Sequence, residues 1–215
     1  MTFEQIQNQI EHYKSQNKFL FTTCSFQTHS LVLLHMLSVI DKTIPVYFIN
    51  TGFHFAETLV FKDEIASQFG IHVITKASAT PKSMQNNLQH QLLFTSDPDY
   101  CCYLNKTQPI EPLLQANDVW INGVRADQSA KRSSFTMEQA TPFRAIRFHP
   151  MLDWNQKMIY QYLKENKIPK HPLEAKGYFS IGCEPCTRKF DINARGGRWF
   201  GLNKTECGLN TDLVK

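Results

Sequence analysis

Three short apolar runs, at residues 19–23, 45–49 and 71–75, punctuate the first third of the chain, and between them residues 30–40 and 55–69 repeat apolar side chains every three or four positions. The runs are too short for helices and rich in β-branched and aromatic residues, so they predict strands, while the longer segments predict helices. Parallel strands need a crossover long enough to hold a helix, and this alternation supplies one each time. Residues 109–116 predict another helix, 118–123 a fourth strand, and 153–166 a further helix opened by Asp153 as its N-cap. The polar stretch 78–90 reads as a loop with a short helix. The fold class that follows is α/β, with an open, mainly parallel sheet and flanking helices.

From Pro169 onward prolines, glycines and aromatics replace the periodic segments. Little core can form there, so the region is expected to be irregular and ordered by a metal centre at Cys183 and Cys186. At 215 residues the chain suits a single domain, with residues 200–215 as a mobile, active C-terminal tail. No run of about 18 apolar residues is present, and the polar, mixed-charge start does not resemble a signal peptide, so no membrane contact and a cytoplasmic location are expected. The formal charge of +4 is mild; the basic residues gather only at Arg188, Lys189, Arg195 and Arg198, which suits a small anion better than nucleic acid.

Six cysteines, two of them adjacent (Cys101, Cys102) and two spaced as Cys183-x-x-Cys186, do not form a secreted disulfide framework. Four thiolates are the usual complement for an iron–sulfur cluster or for structural zinc. The adjacent pair favours a cluster, which offers separate iron corners to neighbouring cysteines, but spacing alone leaves zinc open. Cys207 belongs to neither pair; it is either a reactive thiolate or an idle surface thiol. Cys24, at the end of an apolar strand, reads as a packing residue. The loop 24–30 and the Thr51-Gly52 turn follow the first two strands, where a parallel sheet binds ligands. Neither carries a phosphate-loop or dinucleotide fingerprint.

Together these residues resemble the assimilatory adenylylsulfate (APS) and phosphoadenylylsulfate (PAPS) reductases over nearly the whole chain. The likeness is carried by Asp99-Tyr-Cys-Cys-Tyr-Leu-Asn-Lys106, Ile121-Asn-Gly-Val-Arg-Ala-Asp-Gln-Ser129 with Arg132, Gly182-Cys-Glu-Pro-Cys-Thr-Arg188, Arg195-Gly-Gly-Arg-Trp199 and Lys204-Thr-Glu-Cys-Gly-Leu209. Weaker matches are Ser25-Phe26 and Thr51-Gly52 with Glu57-Thr58.

The resemblance implies an adenine nucleotide alpha hydrolase-like fold related to the ATP pyrophosphatases, and a [4Fe-4S] cluster on Cys101, Cys102, Cys183 and Cys186. It implies thiol-dependent reduction of APS to sulfite and AMP in sulfate assimilation and cysteine biosynthesis, through an S-sulfocysteine on Cys207 that thioredoxin or a similar dithiol resolves. Members with both cysteine pairs generally use APS, so PAPS is the alternative substrate. A homo-oligomer is expected. Ser25, Phe26, Thr51 and Gly52 become candidate nucleotide-side contacts. Lys106, Arg195 and Arg198, with Arg125 and Arg132 behind them, become candidate cations for the phosphosulfate. The chain departs from the family pattern where Phe26-Gln27-Thr28-His29 replaces a loop with glycine and acidic residues, where Asn210 replaces a histidine, and where Asn105 replaces an arginine. Two other readings are an ATP pyrophosphatase-type enzyme, which lacks its S-G-G-x-D-S loop here, and a zinc-stabilised nucleotide-binding module, which gives the Cys207 motif no purpose.

Overall fold

The structure, a computed structural model, describes residues 1–189 and 206–214. Helices α1 (Phe3–Ser15), α2 (Ser30–Ile40), α3 (Ala56–Phe69), α4 (Leu93–Ser96), α5 (Pro98–Cys102), α6 (Gln108–Ala116), α7 (Ala130–Ser133) and α8 (Gln156–Glu165) surround one sheet. Its strands are β1 (Leu20–Thr23), β2 (Val46–Asn50), β3 (Val73–Ala77), β4 (Val119–Ile121), β5 (Glu138–Gln139) and β6 (Ile146–Phe148). They lie in the order β3-β2-β1-β4-β6-β5, all parallel except β5 against β6. The predicted α/β sheet is present, and the antiparallel edge strand is added to it.

Strand order runs one way from β1 to β3 and the other way from β1 to β6. Crossovers therefore diverge at β1 and β4, and a crevice opens beyond the carboxyl ends of these two strands. Helix α2 is apolar on nearly every side, with Leu31, Val32, Leu33, Leu34, Met36 and Leu37 buried, because the sheet and α8 enclose it.

One helix is added and two local readings are corrected. Helix α1 was not anticipated, although Phe3, Ile6, Ile10 and Tyr13 fall at helical spacing and Thr2 and Gln5 form a capping box. The α8 N-cap is Asn155, whose Oδ1 accepts from Met158 N at 3.0 Å; Asp153 instead binds the chain's amino group. Strand β4 stops at Ile121, and the chain then turns into the crevice. Between α5 and α6, residues Tyr103–Thr107 widen into one π-helical turn. Pro109 offers no N–H to that turn and its ring crowds the preceding carbonyl, a cause for the widening.

Candidate active site

All four paired cysteines line one small cavity. Cys101 and Cys102 end α5, which Asp97 caps by accepting from Tyr100 N at 3.0 Å. Cys183 and Cys186 flank a single 3₁₀ turn, Glu184–Cys186, held against the β2–α3 loop by Glu184 N donating to Phe53 O at 2.7 Å. Thr187 Oγ1 closes the turn by donating to Cys183 O at 2.8 Å. Three polar side chains reach the sulfurs. Thr51 Oγ1 lies 3.3 Å from Cys183 Sγ, Asn105 Nδ2 3.6 Å from Cys101 Sγ, and Lys106 Nζ 3.7 Å from Cys102 Sγ.

Burial pushes the Cys101 thiol up to about 11, and the nearby Cys102 and Cys183 add to the shift. Thiolates crowded in so dry a place require a cation among them, so the donor set fits a metal group. Among the described residues no three His, Cys, Asp or Glu side chains form a set for a single metal ion. Four thiolates are the donor set of either a cluster or a single zinc.

Beside this cavity the crevice opens into a cleft of about 540 Å³. Lys106 and Cys183 line both spaces, so the cysteine cavity and the cleft adjoin. Ser25 and Thr51 contribute from the loops after β1 and β2, Asn122 and Arg125 from the segment after β4, and Arg132 from α7. Arg125 is bound to Asp127, Nε to Oδ1 at 2.9 Å, and donates to His29 Nδ1 at 3.2 Å. Burial, then the Arg125 charge, pulls the His29 pKa down, so its ring accepts as the neutral form.

Two expected nucleotide contacts sit elsewhere. Phe26 is fully buried and packs edge-on to Phe48 in the core, while its backbone takes φ 56. It therefore makes the left-handed turn that glycine commonly makes, with its ring pointing away from the cleft. Gly52, at φ 72, lies outside the cleft lining, and a Cβ there would meet Lys82 Cε at 2.5 Å. Arg195 and Arg198 lie outside the described residues.

The tail segment 206–214, expected to be mobile, is docked. Glu206 accepts from Arg132 Nε and NH2, Ser129 Oγ, Cys207 N and Asn210 Nδ2, at 2.7 to 3.1 Å. Burial raises its carboxyl and these partners, Arg132 first, outweigh it and hold the pKa at about 2. Arg147, in the centre of β6, donates to Leu209 O at 2.6 Å and to Asn210 Oδ1 at 2.8 Å. Its guanidinium lies 4.7 Å from the Trp120 ring and 5.4 Å from Phe135, so it is a buried cation pinned on aromatic faces. Burial, then the Arg132 charge, brings it down to about 9. Leu213 enters the core beside Phe21 and Trp120. Cys207, half-buried, thus faces the same cleft as Lys106, Arg132 and Arg147.

Sequence reasoning missed Glu206 and Arg147. An arginine between Ile146 and Phe148, inside an apolar strand, was the available signal, since a charge there needs a stated partner.

Known proteins match this chain along most of its length. The phosphoadenosine phosphosulfate reductase domain matches residues 19–189. A protein of Chelativorans sp. (strain BNC1) named adenosine 5'-phosphosulfate reductase is 36% identical over 191 residues, 88% of this chain and 78% of that one. A protein of the same name from Bacillus mycoides (strain KBAB4) is 34% identical over 202 residues, 92% of this chain and 86% of its own. Among solved structures, phosphoadenylyl-sulfate (PAPS) reductase from Candida auris, a phosphate complex, superposes with a TM-score of 0.67 at 22% identity, covering 83% of this chain and 87% of that chain. The last of these speaks to the fold alone. With the domain match spanning four-fifths of the sequence and relatives above 30% identity over most of their length, the chain belongs to the phosphoadenosine phosphosulfate reductase family.

Proposed function

We propose that this chain reduces adenylylsulfate to sulfite and AMP, with Cys207 as the nucleophile and a dithiol such as thioredoxin as the reductant. The observation that carries the reading is the shared cleft: a half-buried thiol on the docked tail opens onto the same space as Lys106, Arg132 and Arg147, at the strand-order reversal where such folds take ligands.

The sulfur of a phosphosulfate anhydride is electrophilic, and AMP is a competent leaving group. The Cys207 thiolate attacks that sulfur, the S–O bond to AMP breaks, and an S-sulfocysteine forms. A reductant thiolate then attacks Cys207 Sγ, the S–S bond to the sulfo group breaks, and sulfite leaves. The second thiol of the reductant resolves the mixed disulfide. Sulfur gains two electrons and the dithiol loses two. Both the substrate and the attacking thiolate are anionic, so the first step needs cations on each. Lys106 has its ammonium between the cysteine cavity and the cleft, and Arg132 holds Glu206 so that the carboxylate next to Cys207 is already neutralised. Ser25, Thr51 and Arg125 line the same cleft and serve the nucleotide. Arg195 and Arg198 remain proposed contacts of the sulfate end.

A [4Fe-4S] cluster on Cys101, Cys102, Cys183 and Cys186 would cross-link α5 to the 183–186 turn and fix charge beside Lys106 without changing oxidation state. Zinc is the alternative occupant. Iron and acid-labile sulfide analysis of anaerobically purified protein decides between them: matched iron and sulfide are expected, and stoichiometric zinc without sulfide would contradict the assignment. Sulfite release with thioredoxin, compared for APS and PAPS on the same sample, tests the substrate; faster turnover of APS is expected, and turnover of PAPS alone would reverse the choice.

A further inference from the structure

Near the cysteine cavity, Lys82 extends from the single 3₁₀ turn Lys82–Met84 to Asn105, one of the residues that line that cavity. Its ammonium lies 4.4 Å from the centre of the Phe53 ring and donates to Asn105 Oδ1, with Gln85 Oε1 at 3.5 Å. The path of its stem depends on Gly52, because a Cβ at that position would stand 2.5 Å from Lys82 Cε and 3.4 Å from Nζ. That is the use the fold makes of a glycine outside the cleft.

Asn105 and Gln85 are almost fully buried, at 2% and 1% exposure. An ammonium only donates, so Lys82, together with Gln85 Nε2 donating to the same oxygen at 3.1 Å, fixes which end of the Asn105 amide faces them. The oxygen turns to Lys82, and the Nδ2 group is left to donate to Gln85 Oε1 at 2.6 Å, Cys101 O at 2.9 Å and Cys101 Sγ at 3.6 Å. Gln85 is fixed in turn by donating to Thr80 O at 2.8 Å. The cation and Gln85 thus hold the Asn105 amide with its NH2 edge beside Cys101 Sγ, and the cation's own charge stands one amide away from that sulfur. Such outer contacts orient ligands and set the electronic properties of the group they hold.

We propose that Lys82 is a positioning residue for the cysteine-bound cluster, acting through Asn105 on Cys101 and raising the potential at which the cluster accepts an electron. The inference rests on the [4Fe-4S] reading above. It concerns an electronic property of the site, which turnover by Cys207 does not exercise.

The test compares wild type, Lys82→Met, Lys82→Gln and Lys82→Arg as purified cluster-loaded proteins, by iron and sulfide content and by anaerobic redox titration. Lys82→Met and Lys82→Gln are expected to keep the cluster and shift its one-electron equilibrium roughly tenfold toward the oxidised form, about 59 mV to more negative potential. Lys82→Arg should return most of that shift. Cluster loss from Met and Gln variants with retention in Arg would also support a requirement for the cation. Equal potentials in wild type and Lys82→Met, or an Arg variant that behaves as Met does, would overturn the inference. A wild type without iron and sulfide would instead remove the cluster reading, and the inference with it.

Discussion

The guanidinium of Arg132 and the carboxylate of Glu206 meet at two points, Nε to Oε2 at 2.9 Å and NH2 to Oε1 at 2.7 Å, and so tie the residue before Cys207 to α7. A two-point pair of this kind restricts both side chains, and it is mostly buried, with side-chain exposures of 20% and 7%. Glu206→Gln keeps the shape and loses the charge. It is expected to weaken tail docking by about 2 kcal/mol and to speed alkylation of Cys207 in the resting protein. An unchanged alkylation rate would mean that the pair does not hold the tail.

Arg147 makes the second attachment. Arg147→Met keeps a stem against Trp120 but leaves Leu209 O and Asn210 Oδ1 without their donor, a loss of roughly 1–3 kcal/mol. Limited proteolysis should then cut within residues 206–214 faster than in wild type, while thermal unfolding of the sheet moves less. Asn210, which stands where a histidine is usual, receives one of these bonds and donates another to Glu206. Its part in this chain is attachment, which an amide performs at every pH.

Phe26 separates core packing from substrate contact. Phe26→Gly relieves a left-handed backbone, worth about 1 kcal/mol, but empties a fully buried ring site, which costs about 3–5 kcal/mol. A net loss of roughly 3 kcal/mol in denaturant unfolding is expected. A neutral or stabilising result would show that the ring carries no packing.

Several histidines make the fold sensitive to mild acid. Burial, then the charge of Arg147, holds His149 down at about 4, and burial likewise lowers His35 and His171. An unfolded histidine titrates near 6.5, so between about pH 6.5 and 4 the unfolded chain binds the extra proton and stability falls as pH falls. His149 alone can contribute up to about 3 kcal/mol across that window. Glu206 acts lower: its depressed carboxyl contributes stability above about pH 4.5 that is lost as pH falls toward about 2. Urea unfolding at pH 7.5, 6 and 5 should show a declining midpoint, with a shallower decline in His149→Asn.

The sheet and its helices were legible because their apolar period is local: residues 30–40 and 55–69 carry their own spacing, and structure returned them nearly unchanged. The two cysteine pairs were legible by residue type, and the fold brings all four side chains to one cavity. What was hidden depends on contacts across long stretches of chain. Nothing near Glu206 announces Arg132, 74 residues away, and nothing near Gly52 announces the stem of Lys82. Strand β5 is two residues long and owes its existence to β6, so no local pattern marks it.

The central claim is that Cys207 itself takes up the sulfo group. Wild type mixed with APS in the absence of reductant, quenched and digested, is predicted to carry one added SO₃ on the peptide containing Cys207, lost with release of sulfite when a dithiol is added; Cys207→Ser should carry none and release no sulfite. Sulfite release by Cys207→Ser, or turnover in which the Cys207 peptide is never modified, would contradict the account.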